Sequence, residues 1–558
     1  MQNRVRYKTF DQISFADMMV YSKLPLHPFW SNVEEKIDFS FADSLCSVLY
    51  SGRGQHPYAP SLKLKIHLIQ AYYVLSDRLV EEKIIGDLFI KRFLGLPVDF
   101  FGFDHSTIGL DRSRMGTAMF QACHLYILAQ MHNLGLWGDK NEQWIIDSFP
   151  TNVAMARVGA YRLIQQGMIQ IFQHLKRSHR ELFQHAERSV TRDAMLFRLS
   201  SQSSTSDQML AFSKLVAQAY GLLQWFQLDD VAALFQAWPN KNAQQTSVEL
   251  QAILKRILEE NSRVVSPADS DSTNSNDDQG DSGSATVEYE KLPRKDRPKN
   301  QIISVTDPEA RVCKKNYTTT RGYKTQNLCT TSGVVLDTKM IPAMEHDRDA
   351  MVEMVQGIQS FFRVTPSAVL GDTAYGHGEQ RVALASLGIT TVAPVITTQN
   401  PTGLFDISRF SYDRENDVYR CPNNKTTVRK NHNTKNEGWQ HFFAKKDCAG
   451  CPFRLKCTTN KSGRSVFHSD YYDLYEIAKA YNASEHGKEN YKLRYRVERK
   501  NQELKNDCGL GKTQTRSKKA LSMKAKLAAM VVNLKHTVRR LFDPSPGFIR
   551  RTPTTYVT

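Results

Sequence analysis

The sequence has no long apolar run. A helix that crosses a bilayer needs about 18 or more uncharged apolar residues in succession. The oiliest stretch, Leu125 to Leu136, is broken by Gln130, His132 and Asn133. No membrane-spanning segment is therefore expected. The opening Met-Gln-Asn-Arg-Val-Arg-Tyr-Lys also has no apolar core of the signal-peptide type. Cysteine is scarce, with nine residues in 558, an odd number that argues against a disulfide scaffold and suits reduced thiols in a cytosol. Acid is in deficit: 57 Asp and Glu stand against 74 Lys and Arg, for a net charge of +17. A surface this basic repels itself, and a polyanionic partner is its simplest explanation, with nucleic acid ahead of acidic membranes and acidic proteins. What remains is ordinary globular material, 41% hydrophobic and 10% aromatic. That is enough for a full core in most of the chain and, at this length, for roughly two to four structural units.

Residues 1–135 read as helical. Pro60 opens a run in which Leu62, Leu64, Ile66, Leu68, Ile69, Tyr72 and Tyr73 settle into helical spacing, with proline favoured in the first turn. Ser76-Asp77 caps a second helix, and a third begins near Asp104-His105-Ser106-Thr107 and carries Arg112 and Arg114. Short helices ending in a basic one suit a helix-turn-helix-like DNA module, and equally a plain helical bundle. A strand, Trp144-Ile-Ile-Asp147, follows and is expected to stop at Ser148-Phe-Pro150. Residues 161–262 are helical again. Between Ser266 and Ser284 the chain holds Asp269, Asp271, Asp277, Asp278 and Asp281 and no base, and such a segment is expected to be disordered. Strand-like runs resume at Gly322–Leu328, Gly333–Asp337, Ala368–Asp372 and Thr391–Val395, with a helix between Gly378 and Leu387. Residues 396–485 are polar, irregular and rich in cysteine. The stretch Tyr491–Leu541 is helical and basic, with fifteen Lys and Arg against Glu498, Glu503 and Asp507.

Two carboxylates stand at strand ends, Asp147 and Asp372. There the backbone is fixed and a ligand can approach, although Asp after a strand is also a routine turn residue. Phosphodiester chemistry with a divalent cation needs two or three converging carboxylates that hold metals about 3.5–4 Å apart. The third candidate is Glu498. Tyr491, Arg494, Glu498 and Lys505 follow the spacing Y-x2-R-x3-E-x6-K, which on a regular helix falls within an arc of roughly 60°. One face would then carry a metal-binding carboxylate, two cations for phosphate oxygens and a phenol. Arg494 and Glu498 would equally form an ordinary i, i+4 pair on a solvated face.

The order strand–Asp, strand–Asp, helix–Glu with this signature resembles the DDE transposases of bacterial insertion sequences. Phe93-Leu-Gly-Leu, Asp104-His-Ser-Thr, Thr306-Asp-Pro-Glu-Ala-Arg, Gly322-Tyr-Lys and Gly371-Asp-Thr-Ala-Tyr are similar to the same group. The resemblance implies an α/β fold: an RNase H-like catalytic core with a helical insertion, preceded by an all-α N-terminal DNA-binding domain (1–135). The core would comprise residues 136–160, 300–395 and 486–541. The helical insertion (161–262), an acidic, Ser-rich linker (263–299) and a Cys-rich insertion (396–485) would interrupt it. It further implies that Asp147, Asp372 and Glu498 bind Mg²⁺ or Mn²⁺, two ions per site, and that Tyr491, Arg494 and Lys505 serve DNA phosphates. Asp139 and Asp337 are rivals to Asp147. The implied partners are element ends and target DNA, with a homodimer in the synaptic complex and a cytoplasmic, nucleoid-associated setting. Two other classes stay open: a DNA-binding regulator or decayed copy without catalysis, and an RNase H-type nuclease that cuts without joining.

Cys421, Cys448, Cys451 and Cys457 lie within 37 positions. A C-x2-C pair forms half of a tetrahedral zinc site cheaply, and a strand-poor insert would gain from such a clip. The four thiols are therefore candidates for structural Zn²⁺, with His441 and His468 as spare ligands, or else they are separate reduced cysteines.

Overall fold

Trp144-Ile-Ile opens strand β1 (Trp144–Val153) because the three residues are apolar, largely β-branched and buried. The computed structural model describes residues 5–542 except 11–13, 52–53, 156–157, 201, 266–286, 316 and 396–402. The central sheet continues with β2 (Arg311–Lys315), β3 (Thr318–Thr330), β4 (Val335–Pro342), β5 (Ala368–Leu370), β6 (Thr390–Val392) and a short β7 (Lys512–Thr513). Strand β1 pairs antiparallel with β3, and β3 pairs antiparallel with β2 and β4. On the other flank β1 pairs parallel with β5, and β5 parallel with β6. An antiparallel meander extended by two parallel strands, with helices packed around it, is the RNase H-like arrangement.

Strand β1 does not stop at Ser148-Phe-Pro150 but runs on to Val153. Strand β5 pairs only with Trp144 and Ile145, and β7 returns only at Asn152 and Val153. The flank between them is open, and proline, which has no N–H to give a ladder, is tolerated at such an edge. Where β3 crosses the end of β1, Gly322 has φ 119°, and a Cβ there would lie 2.7 Å from Val153 Cγ2. Only glycine fits that crossing.

The N-terminal unit is all helical, as expected, and shares one apolar core with the sheet. Its last helix, His105–Asn133, is 29 residues long and breaks at Gly116 (φ 65°). Its arginines are engaged within the unit, Arg112 half-buried and Arg114 exposed. Arg112 pairs with Asp77 and Gln70, and Arg114 lies over the Tyr50 ring at 5.2 Å. The insertion Ala160–Asn261 is helical and has a core of its own, which Ile302 and Val305 join. The acidic segment expected to be disordered lies outside the described residues, and the linker around it is shorter than 263–299. Ser262–Val264 pairs with Tyr289–Lys291. The Cys-rich insertion is not strand-poor. It holds a three-stranded antiparallel sheet, Thr427–Asn433, Gly438–Phe443 and Ser465–Ser469, and a hairpin of Ser411–Asp413 with Val418–Arg420. Among the described residues no helix is long and apolar enough to cross a membrane.

The C-terminal helix Lys518–Phe542 is basic, yet it is a core element packed between β4 and the helices His105–Asn133 and Pro60–Tyr73. Its cations are largely engaged at home. Lys526 pairs with Asp337, Arg539 with Glu503 (3.2 Å) and Lys518 with Glu309 (3.4 Å), and Lys524 donates to the Gly509 carbonyl at 3.0 Å. The pairing with Lys526 accounts for Asp337. Asp139 lies in the turn ahead of β1, where its carbonyl accepts the Glu142 N–H at 2.9 Å.

At the junction of these elements His124 is completely buried. Its Nε2 lies 3.2 Å from the Val335 carbonyl, which also accepts from Asn533 Nδ2. Burial, with Lys526 nearby, lowers its pKa to about 4. A pKa lowered on folding means that the unfolded chain takes up the proton first. Stability is then full above the ordinary histidine range near 6.5 and is lost as pH falls toward 4. Over that window His124 is expected to cost about 3 kcal/mol, at 1.36 kcal/mol per pKa unit. Urea unfolding of the parent and of His124→Gln at pH 7 and pH 4.5 measures it, and equal pH slopes for the two would refute the assignment.

Candidate active site

In the register of β1 with β5, Ile145 stands opposite Leu370. Two residues further along each chain come Asp147 and Asp372. Paired strands lie about 4.8 Å apart, so the two acids leave the sheet side by side. Asp372 ends β5 as the cap of the turn Thr373–Tyr375, its Oδ1 accepting the Ala374 N–H at 2.8 Å. The turn is tight: a Cβ on Gly371 would meet Tyr375 Cβ at 2.7 Å. Arg381 holds the following loop, donating to the carbonyls of Gly376, Thr391 and Ala393.

The side chain of Asp147 is 15% exposed. Burial pushes its carboxyl above the usual range, and Asp372 and Asp347 add to the rise while Arg494 opposes it. A carboxylate kept half-buried beside two others is an electrostatic deficit that a cation relieves. Asn501 Nδ2 donates to Asp147 Oδ2 at 3.0 Å, and Asn327, the cross-strand partner of Asp147, donates to Asn501 Oδ1 at 3.0 Å. This amide relay fixes the carboxylate's orientation. Lys324 neutralises Asp347 at 2.6 Å. Tyr375 is buried, and its phenol pKa is raised by that burial and by Asp347, Asp147 and Asp372. Sequence reasoning missed Asn501, Asn327 and Asp347. The one signal available was that Asn501 lies one turn beyond Glu498.

The segment carrying Glu498 is not one regular helix. Glu485–Lys492 ends at Leu493, and Tyr495–Gln502 starts after Arg494. The junction is overwound: Arg494 N–H bonds to the Tyr491 carbonyl and Val497 N–H to that of Arg494, each three residues back. Glu503–Asp507 is then underwound into a π turn closed by Cys508 N–H on the Glu503 carbonyl. The expected common face of Tyr491, Arg494, Glu498 and Lys505 therefore does not exist as a regular arc. Val497 seats the helix on Ile145, Cys329, Ala368, Leu370 and Val392, and Tyr491 packs against the same cluster. Tyr491 is thus a support beneath the strand ends. Arg494 lies between two acids, 3.6 Å from Asp147 and 4.0 Å from Glu498. The Glu498 side chain is 66% exposed. Lys505 lies in the π turn, close against Gly511, where a Cβ would meet its Cγ at 2.6 Å.

Among the described residues no three His, Cys, Asp or Glu side chains stand close enough to hold a metal as they are. At the acidic site the residues fit a divalent cation nonetheless. Asp372 is close enough to Asp147 to raise its carboxyl, and Arg494, which already bridges Asp147 and Glu498, stands where a cation would. The cysteine site does not fit in the same way. Cys421, Cys448, Cys451 and Cys457 line one small cavity of about 30 Å³ beside Phe410 and Phe443, but Arg454 and Arg464 line it as well. The Arg464 backbone N–H lies 3.4 Å from Cys448 Sγ. Its guanidinium donates to the Cys457 and Phe405 carbonyls. Burial also pushes the Cys457 thiol up. With the arginines occupying the cavity and no three His, Cys, Asp or Glu side chains among the described residues arranged to hold a metal, zinc is not supported at this site. His441 and His468 do not line it; His468 Nδ1 lies 2.9 Å from the Tyr419 hydroxyl.

Residues 296–534 match the family model described as "Transposase DDE domain", and residues 18–114 match the one described as "Transposase domain (DUF772)". Asp372 and Glu498 lie within the first match, whereas Asp147 lies outside it, across the helical insertion. No curated protein and no solved structure matches the chain. Over residues 296–534 the chain is thus similar to a transposase DDE domain, and over residues 18–114 to a second transposase domain.

Proposed function

We propose that the chain is a DNA transposase that binds the ends of its insertion sequence, cleaves there and joins the freed 3′-hydroxyl to target DNA. The observation that carries this reading is that β1 and β5 pair in register up to Ile145 and Leu370, two residues short of Asp147 and Asp372, while Arg494 links Asp147 to Glu498. Asp147, Asp372 and Glu498 would hold Mg²⁺ or Mn²⁺, whose chemistry is to acidify an attacking water and to offset charge on the departing oxygen.

The protein's own contribution is positioning. Asn501 and Asn327 orient Asp147, and Val497 fixes the helix of Glu498 on the sheet. Arg494 neutralises the acids in the free protein, and on DNA its guanidinium would turn to a phosphate oxygen. Lys505 would serve a flanking phosphate. Bringing two element ends together calls for a homodimer, acting on chromosomal DNA in the cytosol.

The test is an end-cleavage and strand-transfer assay on the DNA that flanks the gene, with Mg²⁺ or Mn²⁺, comparing the parent with Glu498→Ala. The parent is expected to cut and join, and the variant to do neither. A variant as active as the parent would sink the mechanism. Cutting without joining would identify a nuclease, and an inert parent that still binds the ends would identify a regulator or a decayed copy.

A further inference from the structure

Three cations of the C-terminal helix, Lys518, Lys526 and Arg539, pair with internal acids, and a separate group of cations gathers elsewhere without such partners. A cleft of about 780 Å³ opens where the helical insertion meets the β2 edge of the sheet. Lys291, Arg294, Arg297, Lys299, Lys314 and Arg321 line it. No Asp or Glu is among its described lining residues, and none of the six cations has a carboxylate partner among the described residues. Arg297 instead donates Nε and Nη2 to the Leu292 carbonyl at 2.9 and 2.8 Å, and burial together with Arg294 weakens its hold on its proton.

Lysines on an edge strand such as Lys314 commonly serve only to block edge-to-edge pairing. That does not explain Arg294, Arg297 and Lys299, which reach the same cleft from the segment following Tyr289–Lys291. Six unpaired cations on a concave, partly apolar wall focus a positive field outward.

We propose that this cleft is a second DNA-contact surface, taking the phosphate backbone of the duplex whose end lies at Asp147 and Asp372. Met155, which lines it, lies eight residues beyond Asp147 and two past the end of β1. At about 3.3 Å per residue that is roughly 26 Å, or about eight phosphates of one strand at 3.4 Å each. The cleft therefore grips the element end most of a helical turn inward from the cut. The helical insertion, which a bare RNase H-like sheet does not need, supplies its second wall. The inference rests on the transposase reading.

The experiment is lysine acetylation footprinting of full-length Asp372→Asn, which removes cleavage, with and without a 40-base-pair duplex. Lys291, Lys299 and Lys314 are expected to be protected at least about threefold, together with Lys505 in the π turn that follows the helix of Glu498. Protection of Lys505 alone overturns the cleft and leaves the active-site reading standing. Absence of protection at every one of these lysines overturns both. Protection of the cleft by polyglutamate but not by the duplex would make it a docking surface for an acidic protein, which also overturns the proposal. Independently, Arg294→Gln/Lys299→Gln/Arg321→Gln is expected to lower the slope of log affinity against log salt by about 2 to 3, at 0.9 per phosphate contact. An unchanged slope counts against it.

Discussion

Replacing Asp372 by asparagine is expected to abolish divalent-cation-dependent DNA cleavage, by at least about a thousandfold, without unfolding the protein. A cation held by these acids supplies several kcal/mol of charge stabilisation in the transition state, and each 1.36 kcal/mol is tenfold in rate. Stability should move the other way. Asp147 is half-buried, and its carboxyl is raised above the usual range by that burial and by Asp372 and Asp347, against Arg494. A raised folded-state pKa means that stability is full below the unfolded value and is lost as pH rises through the folded one. At neutral pH the ionised pair is therefore a net cost in the metal-free protein. Removing one charge should leave the urea midpoint unchanged or higher. Loss of cleavage together with a clear fall in midpoint would instead make Asp372 a structural residue, its cap on Ala374 outweighing the repulsion.

The largest loss of stability is expected from Asp111→Ala in the N-terminal unit. The Asp111 side chain is 3% exposed and accepts from Lys63 Nζ at 2.8 Å, with His67 Nε2 at 3.2 Å. Lys63 also donates to the Tyr50 hydroxyl at 2.9 Å. Burial alone would raise the Asp111 pKa, but His67 and Lys63 outweigh it and the carboxyl sits below its ordinary range. Truncating the acid strands a buried ammonium, which typically costs about 3–5 kcal/mol. Replacing both partners, as in Lys63→Met/Asp111→Leu, should recover most of that, because the penalty belongs to the unpaired charge. Denaturant unfolding of the full chain measures both variants. A single variant within about 1 kcal/mol of the parent would show that Lys63 finds water or Tyr50 sufficient.

Much of this arrangement was legible in one dimension. Trp144-Ile-Ile before Asp147 and Ala368-Val-Leu before Gly371-Asp372 announced buried strands, because short apolar runs carry their own strand signal, although β1 runs on past Asp147 to Val153 where a strand end was expected. Helical periodicity marked 161–262 as a separate unit, and it has its own core. The Cys-rich insertion misled, since its strands are polar on one side and short, and alternation over three to seven residues is weak in a sequence. The signature around Glu498 misled differently. Its spacing assumed 3.6 residues per turn throughout, and the chain overwinds at Arg494 and underwinds at Glu503–Asp507 where tertiary packing of Val497 and Leu504 takes over.

The sequence by itself determined the strand order of acids, the helical insertion between the first two of them, and a chain-wide excess of positive charge. Only the tertiary structure decided which of those charges are free. Lys526 meets Asp337 across 189 residues, Arg539 meets Glu503 across 36, and Asn501 reaches Asp147 across 354. Local patterns report backbone preference, whereas charge pairing is settled by which distant elements pack together. The basic C-terminal helix thus became a core element, and six cations without carboxylate partners among the described residues proved to line a cleft at the β2 edge of the sheet.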